Sequence, residues 1–231
     1  MKFMEKKSLM AKAFLCSYPR SGSSYLRFLI DKNTDFCIGT SHSNNNFDVK
    51  LTSTNTQKLK NKVIAWKTHH PQQFRNNSHG RRQKIETGNK FTLLILIRNP
   101  LDTLKSWSRL KKFQIGPGHI KNFCKDWNNF ISYYENLQGN KKMFLTYEQL
   151  ITFPERSVQE ICKHFGIEMN KNFKNVTRQE SIMRSNKGFI GTCKILDDIS
   201  FFTKPQINQI QNLCDTHIKK YFPTLGNIKE E

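Results

Sequence analysis

Three short stretches carry residues whose types and spacing suit an oxyanion held beside a titratable base. The first is Tyr18-Pro19-Arg20-Ser21-Gly22-Ser23-Ser24-Tyr25, flanked by apolar residues on both sides. Gly22 lets the backbone approach a ligand closely. Ser21, Ser23 and Ser24 add donors, and Arg20 adds a fixed positive charge. A helix starting here would present free N–H groups and a favourable dipole, so the fitting ligand is a phosphate or sulfate group. An ordinary strand-turn-helix connection capped by serine uses the same residues, and this stretch alone does not separate the two. The second stretch is Lys67-Thr68-His69-His70-Pro71, which offers a cation and an imidazole base. The third is Arg98-Asn99-Pro100-Leu101-Asp102, with Ser106 eight residues after the arginine. It offers a second anion site, against the plainer reading of an arginine at a strand end paired with Asp102.

Each stretch follows a segment that can position it. Ala13 to Cys16 suits a short buried strand, and Leu26, Phe28, Leu29 and Ile30 suit the buried face of a helix. Val63 to Trp66 reads as a second strand, stopped before Pro71. Phe91 to Ile97 is the most apolar run and fits a central parallel strand buried on both faces. A helix then starts near Pro100 to Asp102, with proline in the first turn and aspartate at the positive end. His119 to Leu137 is an aromatic amphipathic helix whose stripe (Phe123, Trp127, Phe130, Ile131, Tyr134) reads as core. Lys142 to Tyr147 is a further strand, Pro154 to Phe165 a helix closed by Gly166, and Lys204 to Tyr221 a last amphipathic helix. Residues 32–61 read as loop with one short helix near Val49 to Leu59, and residues 175–198 as irregular. The alternation predicts a single α/β domain over residues 1–231, with a central, mostly parallel sheet flanked by helices and residues 1–12 as a mobile lead-in. Such a sheet binds ligands at the carboxyl ends of its strands, where all three stretches fall.

Composition narrows the partners. Against 18 acidic residues stand 38 Lys and Arg, a net charge of +20 that calls for anionic company. The six cysteines form no CxxC pair and no zinc-spaced cluster, so a reducing, cytoplasmic setting is expected, with Cys16 and Cys162 as small buried hydrophobes. The N-terminal apolar run is too short for a signal peptide, and no run approaches a membrane span.

Taken together, these motifs resemble the sulfotransferases that use 3′-phosphoadenosine-5′-phosphosulfate (PAPS), with the KTH segment nearest the cytosolic-type branch. Tyr18 to Tyr25 resembles the family's 5′-phosphosulfate loop, YPKSGTTW. Arg98 to Asp102 with Ser106 resembles the 3′-phosphate motif RNPxDxxxS, and Lys67 to Pro71 resembles KTHLP. Thr146-Tyr147-Glu148 is similar to YYED, and Lys187-Gly188 through Gly191 to the late RKGxxGDW segment. Departures are Arg20 for lysine, Tyr25 for tryptophan, Asn186 for the late arginine (with Arg184 two residues earlier), and Thr192-Cys193 for Asp-Trp.

The resemblance implies sulfuryl transfer from PAPS to a hydroxyl or amine, leaving adenosine 3′,5′-bisphosphate, without a metal. It implies His69 as general base with His70 as the fallback, and Arg20 and Lys67 as stabilisers of developing charge. Arg20, Ser21, Gly22, Ser23, Ser24 and Tyr25 would line the 5′ side. Arg98, Ser106, Lys187 and Gly188 would hold the 3′-phosphate, and Tyr147 would lie near the adenine. The acceptor is expected to be a small-molecule or carbohydrate hydroxyl. Two other classes compete. A P-loop nucleotide kinase would need G-x-x-x-x-G-K-[ST] and an acidic strand end, and neither occurs. A nucleic-acid binder fits the charge, yet no recognition motif supports it. A family member that keeps the nucleotide but has lost turnover is a third possibility.

Overall fold

A computed structural model describes residues 13–40, 63–69, 91–176 and 199–223. Five strands form one sheet: β1 (Ala13–Ser17), β2 (Cys37–Thr40), β3 (Val63–Thr68), β4 (Thr92–Ile97) and β5 (Lys141–Thr146). Their order is β2-β3-β1-β4-β5, and every neighbouring pair is parallel. The helices are α1 (Ser23–Asn33), α2 (Pro100–Lys111), α3 (Pro117–Asn136), α4 (Tyr147–Thr152), α5 (Pro154–Phe165) and α6 (Lys204–Tyr221). A short 3-10 turn, Ile199–Phe201, precedes α6.

The period of two along a strand sorts the core into two layers. Phe14 and Cys16 of β1, with Leu93, Ile95 and Ile97 of β4, face α2, α3 and α6. Ala13 and Leu15, with Leu94 and Leu96, face α1, α4 and α5. Both central strands are buried on two sides, as their unbroken apolar runs require. The aromatic stripe of α3 lies in the first layer, with Trp127, Phe130 and Tyr134 fully enclosed. No described helix is long and apolar enough to cross a membrane.

The connections from β1 and β4 leave toward opposite faces. α1 packs in one layer and α2 in the other, although their parent strands are hydrogen-bonded neighbours. A crevice therefore opens at the carboxyl ends of β1 and β4, the place where open α/β sheets bind ligands.

Two elements differ from the expectation. Cys37–Thr40, expected as loop, is the edge strand β2. It has only four residues and contains Gly39, so it lacks a readable alternation. Trp66 of β3 supplies the missing side chain: a Cβ on Gly39 would stand 2.3 Å from its ring. The last strand ends at Thr146, not Tyr147, because Thr146 and Gln149 form a capping box that starts α4. Residues 1–12, 49–59 and 177–198 lie outside the described residues.

Candidate active site

The loop after β1 is built as a turn. The Tyr18 amide extends the ladder to the Leu96 carbonyl at 3.2 Å, and the Ser21 amide returns to the Tyr18 carbonyl at 3.2 Å. Pro19 occupies the second turn position and Arg20 the third, at φ 69°, which matches a type II turn. Arginine in that left-handed region stores strain of the kind found at functional loops. Gly22 follows at φ 84° and starts α1 with no side-chain cap. A helix start that lacks a side-chain cap suits an anion, which its first-turn amides could bind.

The serines of this loop divide. Ser24 is partly exposed and Ser23 only 7% exposed. Ser21 is fully buried, and its hydroxyl has no partner among the described residues. Tyr25 turns away from the crevice: its hydroxyl donates to Asn175 Oδ1 at 2.9 Å. Beside it, Lys32 Nζ donates to the Asn175 carbonyl at 2.7 Å and Asn33 Nδ2 to the Lys174 carbonyl at 2.9 Å. This face of α1 anchors residues 174–176, the stem of the late segment. Lys187 and Gly188, like His70, lie outside the described residues.

Arg98 leaves the end of β4 with its carbonyl fixed by Trp127 Nε1 at 3.1 Å and Thr103 Oγ1 at 3.4 Å. Its guanidinium lies 4.3 Å over the Tyr147 ring and pairs with Asp102 at 3.5 Å. The plainer Arg98–Asp102 pair is therefore present, but Arg98 Nε is buried with no partner among the described residues. A buried donor in that state costs about 1–3 kcal/mol, and an incoming anion would relieve it. Asn99 caps α2 by accepting from the Asp102 amide at 2.8 Å. One helical turn on, Ser106 Oγ accepts from Arg20 Nε at 3.0 Å. That bond joins the first and third stretches directly.

Tyr147 closes the gap between them. A Cβ on Gly22 would stand 2.3 Å from Tyr147 Cδ2, so the ring lies directly on the glycine. With 6% of its surface exposed, Tyr147 packs the turn after β1 against Arg98.

The second stretch meets the same edge through β3, which pairs with β1. His69 Nδ1 lies 2.6 Å from the Ser17 carbonyl and 3.3 Å from Ser17 Oγ. A carbonyl only accepts, so Nδ1 carries the proton and Nε2 keeps the basic lone pair. Burial, then the Arg27 and Arg20 cations, bring the Lys67 ammonium down to a pKa of about 8. Partial desolvation and then the Arg98 charge push Arg20 below its usual value as well. Arg20, Lys67 and Arg98 thus form a cationic field that a multiply charged anion would neutralise.

Two residues that lie within the quoted motifs, without a role assigned there, also take part. Asn99 stands in the Arg98-Asn99-Pro100 stretch, and its cap is a feature that the structure adds. Glu148 was matched to a motif, but its contact was not legible. Its Oε1 accepts from the Asn99 amide at 3.1 Å and from Asn99 Nδ2 at 2.7 Å. Burial raises its pKa, and the Asn99 bonds followed by the Arg98 charge offset part of that rise.

Similarity to known proteins extends over nearly the whole chain. The family model described as the sulfotransferase domain matches residues 11–222. Mouse sulfotransferase SULT7A1, solved in complex with PAP, superimposes with a TM-score of 0.56 at 18% identity, over 94% of this chain and 87% of that one. A sulfotransferase from Alicyclobacillus acidocaldarius aligns over 89% of this chain and 96% of its own, with a TM-score of 0.46 and 11% identity. No curated protein matches the sequence.

Proposed function

The chain belongs to the sulfotransferase family, and from that premise we propose that it moves a sulfuryl group from PAPS to a hydroxyl, or an amine, with His69 as the general base. The observation that carries the donor is the Arg20–Ser106 bond. It sets two anion-binding segments one side chain apart, a spacing suited to two phosphates on one ribose. The SULT7A1 complex with PAP, adenosine 3′,5′-bisphosphate, supports the same donor.

The residues present fit such a nucleotide. Arg98 Nε is a buried donor with no acceptor among the described residues, and the first turn of α1, without a side-chain cap, follows Gly22. Arg98 and Ser106 would hold the 3′-phosphate, completed by Lys187 and Gly188. The α1 amides, Gly22, Ser23 and Ser24 would hold the 5′-phosphate, with Ser21 and Tyr25 buried behind them. When bound, PAPS supplies a sulfuryl group on a phosphate leaving group. Arg20 and Lys67 stabilise the charge that develops between them. His69 Nε2 accepts the proton of the acceptor hydroxyl, while the Ser17 carbonyl holds Nδ1–H and so fixes the tautomer. The acceptor is a small-molecule or carbohydrate hydroxyl.

The test replaces the base alone. His69→Ala should lower turnover with PAPS, across a panel of phenols, alcohols and sugars, by about 10²-fold or more. Its affinity for adenosine 3′,5′-bisphosphate should stay within about twofold, because the imidazole binds no phosphate in this scheme. Unchanged turnover would remove His69 from the reaction.

A further inference from the structure

We infer that Glu148 is a positioning residue for the second anion segment, setting the geometry of Arg98 through Asn99 and so the preference for a nucleotide with a 3′-phosphate. The inference rests on the donor proposed above.

The bonding explains why a carboxylate stands there. Asn99 is fully buried at the β4–α2 turn, and Glu148 Oε1 takes both its backbone N–H and one Nδ2 hydrogen. The other Nδ2 hydrogen goes to Asp102 Oδ2 at 2.8 Å, and Asp102 pairs with Arg98. Glu148 thus holds the residue that orients the partner of Arg98. Its own helix does not need it for capping, since Thr146 and Gln149 cap α4 reciprocally. Oε2 is buried with no partner among the described residues. A buried, half-satisfied carboxylate is costly where a fold needs only packing. The preceding residue, Tyr147, packs on Gly22 and beneath Arg98. The first turn of α4 therefore braces both anion segments, one by a ring and one by a carboxylate.

Three variants separate this role from a generic structural one. Glu148→Gln keeps the oxygen that Asn99 uses. Glu148→Asp keeps the charge but withdraws it by one methylene, and Glu148→Ala removes both. Each full-length chain is titrated calorimetrically with adenosine 3′,5′-bisphosphate and with adenosine 5′-monophosphate. The Asp and Ala variants should lose about tenfold in bisphosphate affinity while monophosphate affinity stays within about twofold. The Gln variant should keep the wild-type ratio. If the Ala variant does not fold, the Asp and Gln pair still decides. An unchanged ratio in Glu148→Asp, or a lost ratio in Glu148→Gln, overturns the inference and leaves the donor assignment standing. A wild-type chain indifferent to the 3′-phosphate overturns both.

Discussion

At the scale of single residues, the site works by placing cations where they are uncomfortable. Lys67 is the clearest case, because burial and the Arg27 and Arg20 charges lower it from the ordinary 10.5 to about 8. A lysine whose folded pKa is depressed opposes folding while it is charged. Below about pH 8 it is protonated in both states, and the full penalty applies. Between about 8 and 10.5 the unfolded chain binds more protons than the folded one, so stability rises with pH until the penalty is gone. Against Lys67→Met, which carries no charge, the wild-type protein should be relatively less stable at pH 7 and should close the gap across this window. Urea melts at a series of pH values measure it, and a flat difference would mean that the ammonium is water-like. The sign for catalysis is opposite. If Lys67 stabilises the developing charge as proposed, that charge is lost as pH rises through about 8, so transfer should fall there. The same burial that weakens the fold strengthens the field felt by a developing anion.

At the scale of elements, the site depends on α4 leaning on the turn before α1. Gly22 meets two demands at once: a left-handed φ of 84° and the Tyr147 ring against its Cα. Gly22→Ala should cost about 1–2 kcal/mol from the backbone alone, and more from the steric conflict with the ring. Adding Tyr147→Ala should return the steric part only, so the two changes should couple positively in a double-mutant cycle read by denaturant unfolding. Strict additivity would mean that the two do not touch. These two residues also mark how far the sequence could be followed. The strand-loop-helix around Gly22 was legible because apolar runs, Pro19 and the serines are local signals. So were α2, α3, α5 and α6, whose caps and stripes lie within each helix. β2 was not legible, since a four-residue edge strand is defined by its pairing to β3 and by Trp66 covering Gly39. Tyr147 could be matched to a motif, but its packing on a glycine 125 positions earlier comes only from the fold. Glu148 needs the parallel pairing of β4 with β5 to reach Asn99 at all.

At the scale of the whole molecule, sheet order turns three separated stretches into one site. β3, β1 and β4 are adjacent, so His69, Arg20 and Arg98 emerge side by side although 78 positions separate Arg20 from Arg98. The helices that follow β1 and β4 diverge to opposite layers, which opens the crevice between them. The net charge of +20 then acts at long range, drawing anions toward a basic surface. Charge alone would serve any polyanion, and what sets the proposed reading apart is a nucleotide held at both of its phosphates. The direct test is calorimetric titration of the full chain with adenosine 3′,5′-bisphosphate in the presence of EDTA, beside ATP with magnesium, at moderate salt. The account predicts bisphosphate affinity on the order of micromolar and far weaker binding of ATP. Binding of ATP with magnesium at equal or greater strength, or no binding of the bisphosphate, would contradict it.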